Sequence, residues 1–156
     1  MLPTDKLIIE KLEADEAIPY DLLLLADEEM QAIDRYIHQS EIYIAKIEEN
    51  VVGAYVLYPI DELTAEVKAI AVEEHRQNKG IGKMMLKHAE DVAREKNFKN
   101  LLIGTPTIAY KQQAIYLKAG FEAFAIKKDF FLTNYSKPIF EDGLQLKDMV
   151  VLRKHL

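Results

Sequence analysis

Gln77-Asn78-Lys79-Gly80-Ile81-Gly82-Lys83 separates two segments of different period. Before it, residues 64–72 (Thr-Ala-Glu-Val-Lys-Ala-Ile-Ala-Val) read as a strand. After it, residues 83–96 place Met85, Leu86, Ala89, Val92 and Ala93 on one helical face. The first N–H groups of a helix have no intrahelical partner, and the helix dipole adds positive charge at that end. Gly80 and Gly82 remove the Cβ atoms that would hold a ligand away from those groups. Strand, glycine turn and helix N-terminus together make an anion site suited to phosphate. The bland alternative is a tight turn with no ligand.

Two common phosphate motifs fail on particular residues. A P-loop would need glycine at 77 and a hydroxyl at 84, where the chain has Gln77 and Met84. A dinucleotide fingerprint would need a third glycine where Met85 stands. What remains is Gln-x-x-Gly-x-Gly.

Composition narrows the field. A length of 156 residues suits one domain, taken as 1–156, and is enough to bury a core. The net charge of −6, with no basic block, argues against a nucleic-acid partner and favours a cationic substrate such as an amine. The sequence has no Cys, which removes disulfides, thiolate nucleophiles and Cys-based zinc sites. His38, His75, His88 and His155 lack ligand spacing, so no metal is expected. The N-terminus does not read as a leader, and the longest aliphatic run, 22–26, is too short to span a bilayer. A cytoplasmic protein with no membrane partner is the resulting expectation.

Working outward, residues 6–12 read as a first strand, and 22–26 with 28–38 as one helix or two short ones. Residues 40–47 and 51–58 read as a hairpin, with Gly53 inside its second strand. Beyond the central helix come a strand over 99–105, a helix over 108–119 closed by Gly120, and a strand over 121–128. A long aromatic connection, 129–143, precedes a final strand over 144–153. The order predicts a mixed α/β fold with antiparallel hairpins.

A second motif lies at Tyr116-Leu-Lys118-Ala-Gly120-Phe121. One helix and one strand separate it from the glycine loop. The two motifs in this order resemble the GNAT N-acetyltransferase superfamily, most closely over 62–124 and by element order over the whole chain. The resemblance implies the GNAT fold, a central mixed, mostly antiparallel sheet flanked by helices. It implies acetyl-CoA as cosubstrate, no metal, and direct acetyl transfer to a primary amine of a small molecule or peptide.

By the same resemblance, backbone at Ile70, Ala71 and Val72 meets the pantetheine arm, much as an added strand would. The amides of Gln77, Asn78, Lys79, Gly80, Ile81, Gly82 and Lys83 hold the pyrophosphate, with Arg76 and Lys79 adding charge. Tyr116 matches the acid that protonates the departing thiolate, and Glu66 matches a common position of the general base. One departure is the segment Thr105-Pro-Thr-Ile-Ala109, which lacks an Asn found in many members; Thr107 is the replacement considered.

Each role has a structural competitor. Glu66 could be an exposed strand residue paired with Lys68, and Tyr116 a core tyrosine. A carboxylate with an ordinary pKa of about 4 is a poor base for an ammonium, so burial or a relay water is required. A phenol at about 10 lies near a thiol, which suits proton donation. Two rival functions stand beside the enzyme reading: a non-catalytic acyl-CoA-binding regulatory domain, and a protein lysine or N-terminal acetyltransferase. The aromatic run Phe130 to Phe140 reads first as core or a homodimer contact and second as an acceptor wall.

Overall fold

Alternation along one strand explains the layering. In the strand Asn50–Pro59, Ala54 and Val56 point to one side of the sheet while Tyr55 and Leu57 point to the other, and all four are buried. Both faces are therefore covered, each by its own helices. The computed structural model describes residues 6–156. Residues 1–5, on which the expectation about a leader partly rests, lie outside the described residues.

The elements run β1 (Leu7–Lys11), α1 (Tyr20–Leu23), α2 (Met30–Asp34), β2 (Glu41–Ile47), β3 (Asn50–Pro59), β4 (Thr64–Val72), α3 (Ile81–Glu95), β5 (Asn100–Pro106), α4 (Tyr110–Lys118), β6 (Glu122–Lys127), α5 (Phe130–Thr133), β7 (Phe140–Glu141), β8 (Leu144–Gln145) and β9 (Met149–His155). Seven strands form one sheet in the order β1-β2-β3-β4-β5-β9-β6. Every pairing is antiparallel except β4 with β5. The mixed α/β, mostly antiparallel expectation is met.

The short N-terminal helices cover one face, where Leu23, Ile33 and Ile37 meet Ile44, Ala54 and Val56. α3 and the end of α4 cover the other, where Met85, Leu86, Ala89, Tyr116 and Phe121 meet Tyr55, Val67, Ile103 and Leu152. Gly53 lets α3 come close: a Cβ there would lie 2.9 Å from Met85 Cε. A separate small cluster, Phe131, Ile139 and Leu146, forms under the tail.

Two expectations change in detail. The helix read over 28–38 is broken into α2 and a 3-10 turn at Ile37–Gln39, with Tyr36 between them outside helical geometry (φ −126°, ψ −19°). The final strand read from 144 is divided. Residues Leu144–Gln145 instead pair back on Phe140–Glu141 across a turn with positive φ at Asp142 and Gly143, and the sheet strand runs Met149–His155. Leu146, buried in the tail cluster, turns the chain between the two pieces.

Candidate active site

The parallel pairing of β4 with β5 stops early. Register partners run from Thr64↔Asn100 to Val67↔Ile103, although β4 continues to Val72 and β5 to Pro106. A bulge accompanies the parting. Opposite β3, Leu57 pairs with Val67 and Val56 with Ala69, which leaves Lys68 as the extra residue on β4. Such a bulge bends and twists the strand that carries it. Beyond it, β4 keeps its pairing to β3 through Ile70 and Ala71, and its other edge is open.

That open edge lines a cleft of about 590 Å³ together with Gly80, Gly82, Gln112 and Tyr116. The glycine loop closes one end. Gly80 is the N-cap of α3 with φ 87°, and Asn78 has φ 62°. Both lie in the left-handed region that glycine and, less readily, asparagine accept. Gln77 Nε2 donates to the carbonyl of Val72 at 3.0 Å, tying the loop to the strand end. The first backbone bond of α3 is Met84 N–H to Gly80 O at 3.0 Å, so the N–H groups of Ile81, Gly82 and Lys83 have no intrahelical acceptor.

A cradle for a phosphate should be open where side chains would otherwise stand. A Cβ on Gly80 would meet nothing within 4 Å, and one on Gly82 would meet only Val72 Cγ2 at 3.7 Å. The protein itself does not need that space, so these residues fit an anionic group held at the helix start.

Ile70, Ala71, Val72, Gln77, Asn78, Gly80, Ile81, Gly82 and Lys83 all line the cleft, as do Arg76 and Tyr116. Lys79 and Thr107 are not among its lining residues. Thr107 N–H instead donates to Asp148 O at 3.0 Å, and its carbonyl accepts from Gln113 Nε2 at 2.9 Å. Thr105 and Pro106 line the cleft in its neighbourhood, and Gln112 projects from α4. Tyr116 is buried and lines the cleft. Burial pushes its pKa up to about 12, so it holds its proton throughout the neutral range.

Glu66 lies on the other side of the parting. It is only 5% exposed, so its pairing with Lys68 (Nζ–Oε1 3.3 Å) is not the surface contact that the sequence left open. Glu66 lines a second cavity of about 270 Å³, walled by Tyr36, Tyr58, Phe130, Phe131 and Tyr135. Lys68 borders both cavities, as do Val67, Gly104, Thr105 and Pro106. Its ammonium lies 5.8 Å from the ring centroid of Tyr36 and 5.5 Å from that of Tyr58.

Nothing in the sequence singles out Asp27. This carboxylate is buried and accepts from Tyr36 Oη at 2.9 Å and from Tyr135 Oη. Burial raises its pKa, partly offset by those two hydrogen bonds. Burial and the Asp27 charge push both tyrosines well above the usual phenol range. No short motif surrounds these residues, because their partners are remote in sequence.

The comparisons with known proteins agree with one another. The sequence matches the family described as Acetyltransferase (GNAT) family over residues 9–121. It is 40% identical over 147 residues to the uncharacterized N-acetyltransferase YvbK of Bacillus subtilis (strain 168), covering 94% of this chain and 95% of that protein. The fold superposes on a GNAT acetyltransferase from Elizabethkingia anophelis solved with acetyl-CoA bound. That match has TM-score 0.95 and 44% identity, covering 97% of this chain and 99% of the other. An acetyltransferase from Bacillus subtilis solved with CoA gives TM-score 0.87 and 39% identity, with 97% and 99% covered. The chain belongs to the GNAT acetyltransferase family and is an N-acetyltransferase.

Proposed function

We propose that this GNAT acetyltransferase uses acetyl-CoA and transfers the acetyl group directly to a primary amine of a small molecule or peptide, with one active site in a single domain, 1–156. The observation that carries the reading is the meeting of two cavities where β4 leaves β5. One offers backbone N–H groups and a buried phenol, the other a buried carboxylate among aromatic walls.

Acetyl-CoA supplies an acetyl group activated as a thioester. The free N–H groups of Ile81, Gly82 and Lys83, with the backbone of Gln77 to Gly80, hold its pyrophosphate. Arg76 and Lys79 add positive charge near that end. Ile70, Ala71 and Val72 offer the open strand edge to the pantetheine arm. Thr107 stays a candidate contact, with Thr105, Pro106 and Gln112 better placed along the cleft wall.

On the acceptor side an ammonium must lose a proton before it can attack. Glu66, buried beside Lys68, takes that proton directly or through a water. As the carbon–sulfur bond breaks, charge develops on sulfur. Tyr116 stabilises it by donating a hydrogen bond. Its raised pKa makes complete proton transfer less favourable than for an ordinary phenol.

The test is release of free CoA thiol from acetyl-CoA across polyamines, aminoglycosides, amino acids and short peptides. With no Cys in the chain, a thiol reagent sees no protein background. Turnover with one class supports the reading and names the acceptor. Silence with intact acetyl-CoA binding would favour a regulatory acyl-CoA-binding role.

A further inference from the structure

Asp27 and Glu29 sit between α1 and α2, and both reach the tail that follows β6. Asp27 accepts from Tyr135, 108 positions away in sequence. Glu29 accepts from the backbone N–H of Ser136 at 3.0 Å and from its hydroxyl. Tyr135 in turn stacks on Phe131 (centroids 5.7 Å apart, planes at 21°) and meets Phe130 edge-on at 6.3 Å. The tail is thus fastened across the cavity that holds Glu66. Asp27 is the inner fastening, because its carboxylate is buried while Glu29 is only half-buried.

We infer that Asp27 is a positioning residue that pins the aromatic tail over the acceptor side and so restricts acceptors to small primary amines carried on an apolar or aromatic body. This rests on the reading of Glu66 and the neighbouring cleft as one active site. Three observations support the class. The cavity of about 270 Å³ lies just below the usual range for small-molecule pockets and leaves little room for an extended peptide. Its walls are aromatic on several sides, from Tyr58 on β3 and Tyr36 after α2 to Phe130, Phe131 and Tyr135 in the tail. Lys68 shows what those walls accommodate: an ammonium near two ring faces, with a carboxylate at 3.3 Å.

Asp27 also connects to the reacting side. It fixes the hydroxyl of Tyr36, whose ring lies near the Lys68 ammonium, which in turn pairs with Glu66. Loss of the clasp should therefore disturb where an acceptor rests more than how acetyl-CoA is held.

The experiment compares the full chain with Asp27→Asn and Tyr135→Phe, using thiol release with 2-phenylethylamine and with a lysine-containing tetrapeptide. Acetyl-CoA affinity is measured by calorimetry, and backbone hydrogen exchange is followed over 130–147. The unaltered protein should prefer the small amine. Each substitution removes or weakens hydrogen bonds to a charged group, so Asp27→Asn should raise the amine KM by about tenfold. The fall in kcat should be smaller, the preference over the peptide should narrow, and acetyl-CoA affinity should be unchanged. Tyr135→Phe should move the same quantities less far, and both variants should speed exchange in the tail.

Preference of the unaltered protein for the peptide would overturn the substrate class. A fall in kcat with KM and preference unmoved would overturn the positioning role. Silence with every amine despite acetyl-CoA binding would overturn the catalytic reading instead. The clasp would then stand or fall on exchange alone, and unchanged exchange would refute it.

Discussion

The cleft under α3 and the cavity under the tail share a wall at Lys68, yet they present ligands with different kinds of group. In the cleft those groups are mainly backbone: the N–H groups of Ile81, Gly82 and Lys83 and the open edge of β4 after Val67. Side chains matter there mostly by their absence, at Gly80 and Gly82. In the tail cavity the groups are side chains, drawn from β4, from the α1–α2 connection and from residues 130–149. A site made of backbone needs one local segment with the right turn. A site made of side chains needs several remote segments held in register, and Asp27 with Tyr135 shows how that is done.

The strongest way to break this contrast is Gly82→Glu. A carboxylate at a helix N-terminus favours the helix, and a Cβ at this position meets only Val72 at 3.7 Å, so folding should survive. The same carboxylate would stand in the anion site, and acetyl-CoA affinity should fall by about a hundredfold or more by calorimetry. Unchanged affinity would remove the loop from the site.

Tyr116→Phe should come next. The loss of one donor to developing charge predicts a drop of about ten- to a hundredfold in kcat, with acetyl-CoA affinity nearly constant. An equal loss of affinity would make Tyr116 a packing residue of the cleft.

Glu66→Gln sharpens the contrast from the other cavity. The substitution keeps the shape and removes the proposed base, so the acidic limb of the kcat/KM profile should flatten or move while acetyl-CoA binding persists. A profile that keeps its acidic limb would take Glu66 out of the mechanism.

The smallest effect belongs to Gly80→Ala. With φ 87° and open space around the position, the cost is conformational alone, about 1–2 kcal/mol. A melting temperature lower by about 2–8 °C is the expected readout.

This contrast also explains what could be read in advance. Residues 64–121 carry a strand, a glycine turn, a helix, a strand and a second helix whose signals are all local, and the element boundaries there shift by only a few positions. α3 begins at Ile81, two residues before the expected 83, because Gly80 in left-handed geometry makes the N-cap. The pattern at Met30, Ile33 and Ile37 suggested one continuous helix, since apolar spacing does not register the break at Tyr36. The burial of Glu66 was equally out of reach. Strand alternation put it on a face with Lys68, but the tail and the N-terminal segment that cover that face are set by tertiary contacts. Asp27 falls between the stretches 22–26 and 28–38 that read as helical, in a run of leucine and acidic residues with no motif.

The early parting of β4 and β5 has a mechanical consequence. Strands β1 to β4 form one leaf of the sheet, and β5, β9 and β6 form another. The four register pairs from Thr64↔Asn100 to Val67↔Ile103, with the N–H groups of Lys99 and Asn100 bonded to Leu63 O just before them, stitch the leaves together directly, with α3 and its core as the backing. A molecule lying along the gap would touch both leaves and act as a seam between them. Ligation should then stiffen the protein well beyond the residues in contact, coupling how tightly the thioester is held to how far the two leaves can breathe apart.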